Sequence, residues 1–492
     1  MHREEIAGLP DDLEPLMQVA DDLLREGRAV EAKACYDKVS SARSDHAAAR
    51  NGSGRASEAL GDDCDAITQY RRALELDPAL ADARRNLAKL LVRIGRSEES
   101  YPLWRAELLS GSAWMDGLIT KAMEARDLRL AGEYATILAA IRWGRQSHAI
   151  GVEGGLPPQA TTPCTPLTAT KLLHDLEQFR YLTARGILGE EFFEVIERYQ
   201  RVADRLAAKG VKGAAPLDDE TRREIGPTYG RIVHVRDAPR LSKALSSKWD
   251  PGAVERAYLG EPPGSVVVDN FLSTEALESL RLYCLESTIW SESKSHGRLG
   301  SLFRDGFGCP LLLQIAEELR ESLPNLIGER HPLRHMWAYK SPPTLPPDAI
   351  THADFAALNV NFWITPDEAN LDETSGGLIV YGVDAPLHWD FHTYNGRLED
   401  VIRPYLRHHQ AQATIIPYRQ NRAVIFNSDL FHSTGEVRFR PGYENRRTNI
   451  TMLYGRREDD LHHREWTRPS ALSESAARTD AWRSAAFARA RR

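Results

Sequence analysis

Cysteine is scarce in this sequence. There are five, Cys35, Cys64, Cys164, Cys284 and Cys309, scattered and without a CxxC pair. Thiols so few and dispersed argue against a disulfide framework and against a cysteine-ligated zinc site. Long apolar runs are also missing: no stretch approaches the ~18 residues of a membrane-spanning helix. The opening MHREEIAGLPDDLEPL carries acids early and lacks the apolar core of a secretory leader. A soluble, cytoplasmic protein with no membrane partner is expected. Nor is there an excess of positive charge: 63 Lys+Arg stand against 70 Asp+Glu, a net charge of -7, so nucleic acid is not an expected partner. A chain of 492 residues is long enough for two to four domains.

A repeat is present. Gly27, Gly61 and Gly95 are spaced by 34 residues, as are Ala32, Ala66 and Ser100, and Tyr36, Tyr70 and Trp104. The glycine permits a tight turn between two helices. The small residue lets the second helix approach the first, and the aromatic four positions on fills the space between them. Pro78 closes one helix and opens the next repeat. The middle copy, GDDCDAITQYRRALELDPALADAR, is the clearest, and Gly54 occupies a further position kept small. Residues 13–112 resemble the tetratricopeptide repeat family, and a degenerate fourth helix pair is read over 113–143. The resemblance implies a concave surface for a peptide or protein partner, a homodimer contact, or a bare support.

At Gly144 the composition shifts. GRQSHAIGVEGGLPPQATTPCTP reads as a linker. Residues 168–209 return to helical spacing, with His174 and Asp175 read as a capping or packing pair. From Gly264 the run SVVVDNF precedes a helix with Ser273 as N-cap. A second helix, LLLQIAEELRESL, follows. Then come HMWAYK, ALNVNFWIT, GGLIVYG, ATIIPYR, RAVIFN and RTNITMLYG, short runs broken by Pro, Gly and Asn. They predict an all-β sandwich or barrel with flanking helices.

The β region contains His352-Ala353-Asp354 and, well downstream, His432. Positions two apart share a face of extended chain. Two imidazoles and one carboxylate bind one face of an octahedral ferrous ion and leave three positions open. His-x-Asp alone is a weak motif, and His388-Trp389-Asp390 is a rival. Context favours the first, which runs into ALNVNFWIT, where Asn359, Asn361 and Trp363 share a face. With Ser375-Gly376-Gly377 and LIVYG following, it is read as opening a hairpin. The rival precedes the loop-like FHTYNG.

Arg447 begins RTNITMLYG, where Arg447, Asn449 and Thr451 form a polar face. A polar row inside a sandwich needs a polar partner. Arginine is the bidentate partner of a carboxylate, which suits the distal carboxylate of 2-oxoglutarate. Strand parity favours Arg447 over Arg446, with Arg438 a further rival.

The blocks HADFAALNVNFWITPDEANLDETSGGLIVYG, NRAVIFNSDLFHSTGEV and YENRRTNITMLYGRR resemble the iron(II)/2-oxoglutarate-dependent oxygenase family. The resemblance covers about 264–457, more weakly back to about 165, and is to the bacterial branch with N-terminal tetratricopeptide repeats. It implies a double-stranded β-helix (jelly-roll) core. Iron would be ligated by His352, Asp354 and His432, and the 2-oxoglutarate C5 carboxylate held by Arg447. Asn449, Asn361 and Tyr339 would line the pocket. It further implies O2 as oxidant, succinate and CO2 as coproducts, and, because Asp354 is present where halogenating members lack a carboxylate, hydroxylation.

The expected architecture is multidomain α + β: a repeat domain over 1–145, linker and helical connector over 146–215, the jelly-roll oxygenase over 216–460 and a helical tail over 461–492. Three functions are weighed: hydroxylation of a peptide or protein recruited by the repeats, oxygenation of a small metabolite with the repeats dimerising, and a non-catalytic repeat-based binding protein. The intact ligand set favours the first two. Residues 384–412, rich in Trp, His and Tyr, are placed as a substrate-facing insertion at the barrel mouth.

Overall fold

A computed structural model describes residues 13–108, 113–144, 166–210, 213–260, 264–347 and 350–459; most of the expected linker, and the tail, lie outside them. The chain forms two compact units, Met1–Trp114 and Met115–Arg492.

The first unit is a run of antiparallel helices: α1 (Leu13–Arg25), α2 (Ala29–Ala42), α3 (Ala47–Ala59), α4 (Asp63–Leu76), α5 (Ala81–Arg93) and α6 (Ser97–Leu108). The recurring spacing acquires its physical meaning here. Gly27, Gly61 and Gly95 have φ of 80°, 78° and 82°. These are left-handed turns that a side chain would strain. Tyr36, Tyr70 and Trp104 are each fully buried. A Cβ on Gly54 would lie 2.6 Å from the Tyr70 ring, which explains why that position is small.

The second unit contains α8 (Leu128–Trp143), preceded by α7 (Ala113–Glu124), which spans the division. The sequence placed this pair with the repeats. Its polar bonds run instead to a later segment: Arg304 donates to Asp116 and Thr120, and Arg142 and Trp143 both reach Asp305. Next come α9 (Ala169–Ala184) and α10 (Glu191–Ala208), packed through Phe179, Phe192 and Tyr199. Two shorter helices, α11 (Asp219–Ile225) and α12 (Pro251–Gly260), precede α13 (Thr274–Glu286) and α14 (Pro310–Ser322). Ser273 caps α13 by accepting from the Ala276 N–H.

The strands from Gly264 onward are β1 (Ser265–Val268), β2 (Glu292–Ser293), β3 (Leu299–Leu302), β4 (Leu333–Lys340), β5 (Thr344–Leu345), β6 (Leu358–Trp363), β7 (Leu378–Asp384), β8 (Ala413–Ile416), β9 (Ala423–Asn427), β10 (Leu430–Thr434), β11 (Val437–Arg438) and β12 (Thr448–Tyr454). A seven-stranded sheet has the order β1-β9-β6-β12-β4-β3-β2, and a three-stranded sheet the order β8-β7-β10. All pairs are antiparallel. From β4 onward the chain passes back and forth between the sheets, the winding of a jelly roll. The sequence reads as a hairpin between β6 and β7. Strands β6 and β7 are not a hairpin, because β6 pairs with β9 and β12 while β7 pairs with β8 and β10.

Apolar side chains of both sheets meet between them, among them Val380, Ile416, Val424, Phe426 and Leu430. Helices cover the outer face of the large sheet, where the Tyr454 hydroxyl bonds the Ala316 carbonyl of α14. With both faces covered, every residue of β6 is buried, polar ones included.

Candidate active site

Register decides which side chains meet. Across the large sheet, Glu292 stands opposite Gly300, Gly300 opposite Tyr339, Tyr339 opposite Asn449, and Asn449 opposite Trp363. The neighbouring row joins Trp337, Thr451 and Asn361. From these rows Glu292, Tyr339, Asn449, Trp337, Thr451 and Asn361 line a cavity of about 250 Å³ together with His352, Asp354, His432 and Arg447.

His352 and His432 form a backbone bridge, each N–H donating to the other's carbonyl at 3.0 and 2.8 Å. Their Nδ1 atoms lie 2.7 Å from the Ile350 carbonyl and 3.0 Å from the Leu430 carbonyl. A proton on each Nδ1 satisfies these bonds and leaves both Nε2 lone pairs free. Those Nε2 atoms are 3.7 and 3.5 Å from the two oxygens of Asp354. The three residues offer ligand atoms that all lie within 4.8 Å of one another. Asn359 donates to Asp354 Oδ2 at 2.7 Å and fixes the carboxylate. Sequence reading placed Asn359 on this face without seeing that bond.

The protonation states suit a cation. Burial, reinforced by His432, pushes the His352 pKa down to about 4, so its imidazole is neutral at pH 7. Burial opposes ionisation of Asp354, but its polar neighbours His432, His352 and Asn359 outweigh it and hold its pKa below the usual carboxylate range. Two imidazoles and one carboxylate are the donor set of a facial triad.

Arg447 is 2% exposed. It donates to the carbonyls of Gly376 and Gly377 and, at 3.2 Å, to Asn449 Oδ1. A Cβ on Gly377 would collide with the Ile416 carbonyl, so no side chain intervenes between that backbone and its neighbours. The guanidinium lies 5.6 Å from the Trp363 ring centroid. Among the described residues no carboxylate pairs with it, and burial lowers its pKa to about 10. It is a buried cation whose remaining N–H groups have no counter-anion.

The rivals go elsewhere. Arg446 is bound to Glu177 at 2.9 and 3.0 Å, on the outer side of the sheet. Arg438 is exposed. Asp390 caps the short helix α15 (Phe391–Gly396), accepting from the Thr393 N–H. The stretch read as a barrel-mouth insertion does send Phe391 and Asn395 to the cavity wall. His174 and Asp175, read as a packing pair, are buried behind the sheet with Lys171, Lys340 and Tyr443, across β4 from Tyr339.

The parts of the site that sequence reading missed are Glu292, Lys294 and Arg298, together with His335, Trp337 and Phe355. The strands Glu292–Ser293 and Leu299–Leu302 are too short for periodicity to declare them. The i, i+2 spacing of Glu292 and Lys294 was the available signal.

Among known proteins, residues 54–95 match the family model described as TPR repeat. No curated protein matches the chain. Among solved structures, EctD from S. alaskensis with bound Fe is similar at 14% identity, over 45% of this chain and 84% of that one, with a TM-score of 0.30. HygX from Streptomyces hygroscopicus with nickel and 2-oxoglutarate bound is similar at 10% identity, over 45% and 92%, with a TM-score of 0.27. The type III secretion translocator chaperone SycD of Yersinia enterocolitica is similar at 19% identity, over 26% and 93%, with a TM-score of 0.22.

Proposed function

We propose that this protein is an iron(II)- and 2-oxoglutarate-dependent dioxygenase that hydroxylates its substrate. One observation carries the reading. A buried arginine without a counter-anion and a two-histidine, one-carboxylate cluster line the same cavity. A ferrous ion accounts for the free Nε2 atoms and the anionic Asp354, and a dicarboxylic cosubstrate accounts for Arg447.

When bound, the metal supplies dioxygen activation coupled to decarboxylation of 2-oxoglutarate, giving succinate and CO2. The chain's own residues do the rest. His352, Asp354 and His432 hold the ion. Arg447 receives the C5 carboxylate, with Asn449, Asn361 and Tyr339 walling its chain. Trp337, Phe355 and Phe391 present aromatic surface that keeps water from the reacting atoms. The cavity, about 250 Å³, is small. Most ligand sites are larger. The substrate therefore inserts a small group. In the favoured reading that group belongs to a peptide or protein recruited by the helical repeat, a use to which such arrays are suited. The cavity's size favours a second reading, a small metabolite.

The test is spectroscopic. Anaerobic iron(II) and 2-oxoglutarate added to the purified protein should produce a metal-to-ligand charge-transfer band. A folded protein that shows none, and forms no succinate in air, is not this enzyme.

A further inference from the structure

The proposed chemistry uses Arg447 and the triad and leaves one wall of the cavity unexplained. There the hairpin of β2 and β3 brings three charged side chains to the wall: Glu292, Lys294 and Arg298. Lys294 is engaged by Glu292 Oε1 at 2.6 Å. Arg298 is different. Its guanidinium lies over the Tyr339 ring, 5.2 Å from the centroid, and its Nε is buried with no hydrogen-bond partner. Among the described residues it makes no ion pair. Glu292 Oε2 is likewise buried and unpartnered. The glycine between them makes room, because a Cβ on Gly300 would meet the Tyr339 ring at 2.7 Å and Glu292 Oε2 at 3.1 Å.

Two orphaned polar atoms on one hairpin, one a donor and one an acceptor, call for a guest that supplies both partners. Charge points the same way. Lys294, Arg298 and Arg447 are opposed in the cavity wall by Glu292 and Asp354, which leaves one excess positive charge. A ferrous ion and a 2-oxoglutarate dianion cancel each other, so the excess survives loading of the site. A monoanionic guest neutralises it.

We infer that Arg298 and Glu292 form the polar end of the substrate site, taking a carboxylate at Arg298 and a neighbouring N–H or O–H donor at Glu292. This rests on the oxygenase reading for its chemistry, though not for its binding. The guest's body then lies along Trp337, Phe355 and Phe391. Two sources offer this group: a small free acid and an acidic side chain of a peptide.

N-acetylphenylalanine serves as the small-acid probe, and an acetylated, amidated Ala-Asp-Ala tripeptide as the peptide probe. Each is compared with its neutral counterpart, the C-terminal amide or the Asn tripeptide. Binding is measured by calorimetry on the full-length protein, both metal-free and loaded anaerobically with iron(II) and 2-oxoglutarate. At least one acid should bind about 10- to 100-fold more tightly than its neutral partner, the range of a charge-assisted hydrogen bond. Which acid does so identifies the source. Arg298→Gln should erase the preference, and Arg298→Lys should restore part of it. The charge-transfer band should persist in both variants. If neither acid is preferred in the wild-type protein, or the preference survives in Arg298→Gln, the subsite is refuted. Loss of the band in Arg298→Gln would assign Arg298 to the cosubstrate and overturn the inference. If the wild-type protein shows no band but keeps an Arg298-dependent preference in the metal-free state, the oxygenase reading fails and the anion subsite stands.

Discussion

Arg447→Met keeps most of the side chain's length and removes its charge and its donors. In the wild-type protein three of the five N–H groups go to Gly376, Gly377 and Asn449, so one hydrogen on each terminal nitrogen remains for a guest. Hydrogen bonds to charged groups contribute ~1.5–3 kcal/mol each. Losing two should weaken 2-oxoglutarate binding by ~3–6 kcal/mol, roughly 10²- to 10⁴-fold. Stability of the ligand-free protein should respond quite differently. Three hydrogen bonds are lost, but so is a buried guanidinium without a counter-anion, and the two effects oppose one another. A net change within ~2 kcal/mol is expected. The contrast appears in a melting experiment. At 2-oxoglutarate near one hundred times its dissociation constant the wild-type protein gains ~2.7 kcal/mol, and the variant gains almost nothing. Anaerobic titration of the charge-transfer band gives the affinity directly. Arg446→Met is the control: it breaks a partly buried pair with Glu177. That change should cost ~1 kcal/mol or less of stability and leave the affinity alone. Binding within about threefold of wild type in Arg447→Met would refute the assignment, and a large loss in Arg446→Met would transfer it.

Asp354→Ala and His352→Ala should each abolish iron-dependent succinate formation, since each removes one of three protein ligands; turnover persisting in both would exclude this triad. His388→Ala should leave iron binding unchanged, and Asp390→Asn should cost at most ~1 kcal/mol as a weakened helix cap; a loss of iron in either would revive the rival motif. Asn359→Leu should lower iron affinity about 10- to 100-fold by freeing the Asp354 carboxylate, measured by competition with a chelator. Gly54→Ala should destabilise the first unit by ~1–3 kcal/mol, because its methyl meets the Tyr70 ring; an unchanged urea transition would show that the helices shift to admit it.

The helical array was legible because its demands are local. A left-handed turn, a small residue and an aromatic recur at fixed offsets, and each acts on its sequence neighbours. The inward polar faces of β6 and β12 were legible for the same reason, since alternation is a property of one strand. Partnership between strands is not. The spacing from β6 to β7 fits a hairpin as well as a crossover, and only packing of both faces of β6 decides for the crossover. Arg298 escaped because nothing near it in the chain marks it. It becomes distinctive only when Gly300 is set against Tyr339, a pairing that spans a helix and the loops on either side of it. Asn359 was placed on the correct face, but its bond to Asp354 depends on how the chain bends between them.

The reciprocal backbone bridge between His352 and His432 has a consequence for how the site comes into being. The two imidazoles sit on segments distant in the chain, yet they are clasped by main-chain groups that any amino acid except proline would supply. The hinge is therefore indifferent to the side chains it carries. A variant that loses an imidazole should keep the same frame, with one vacancy in an otherwise finished socket. An added imidazole in solution then has a shaped place to enter, so chemical rescue of His432→Gly becomes a direct probe of how completely the fold builds its centre before any guest arrives.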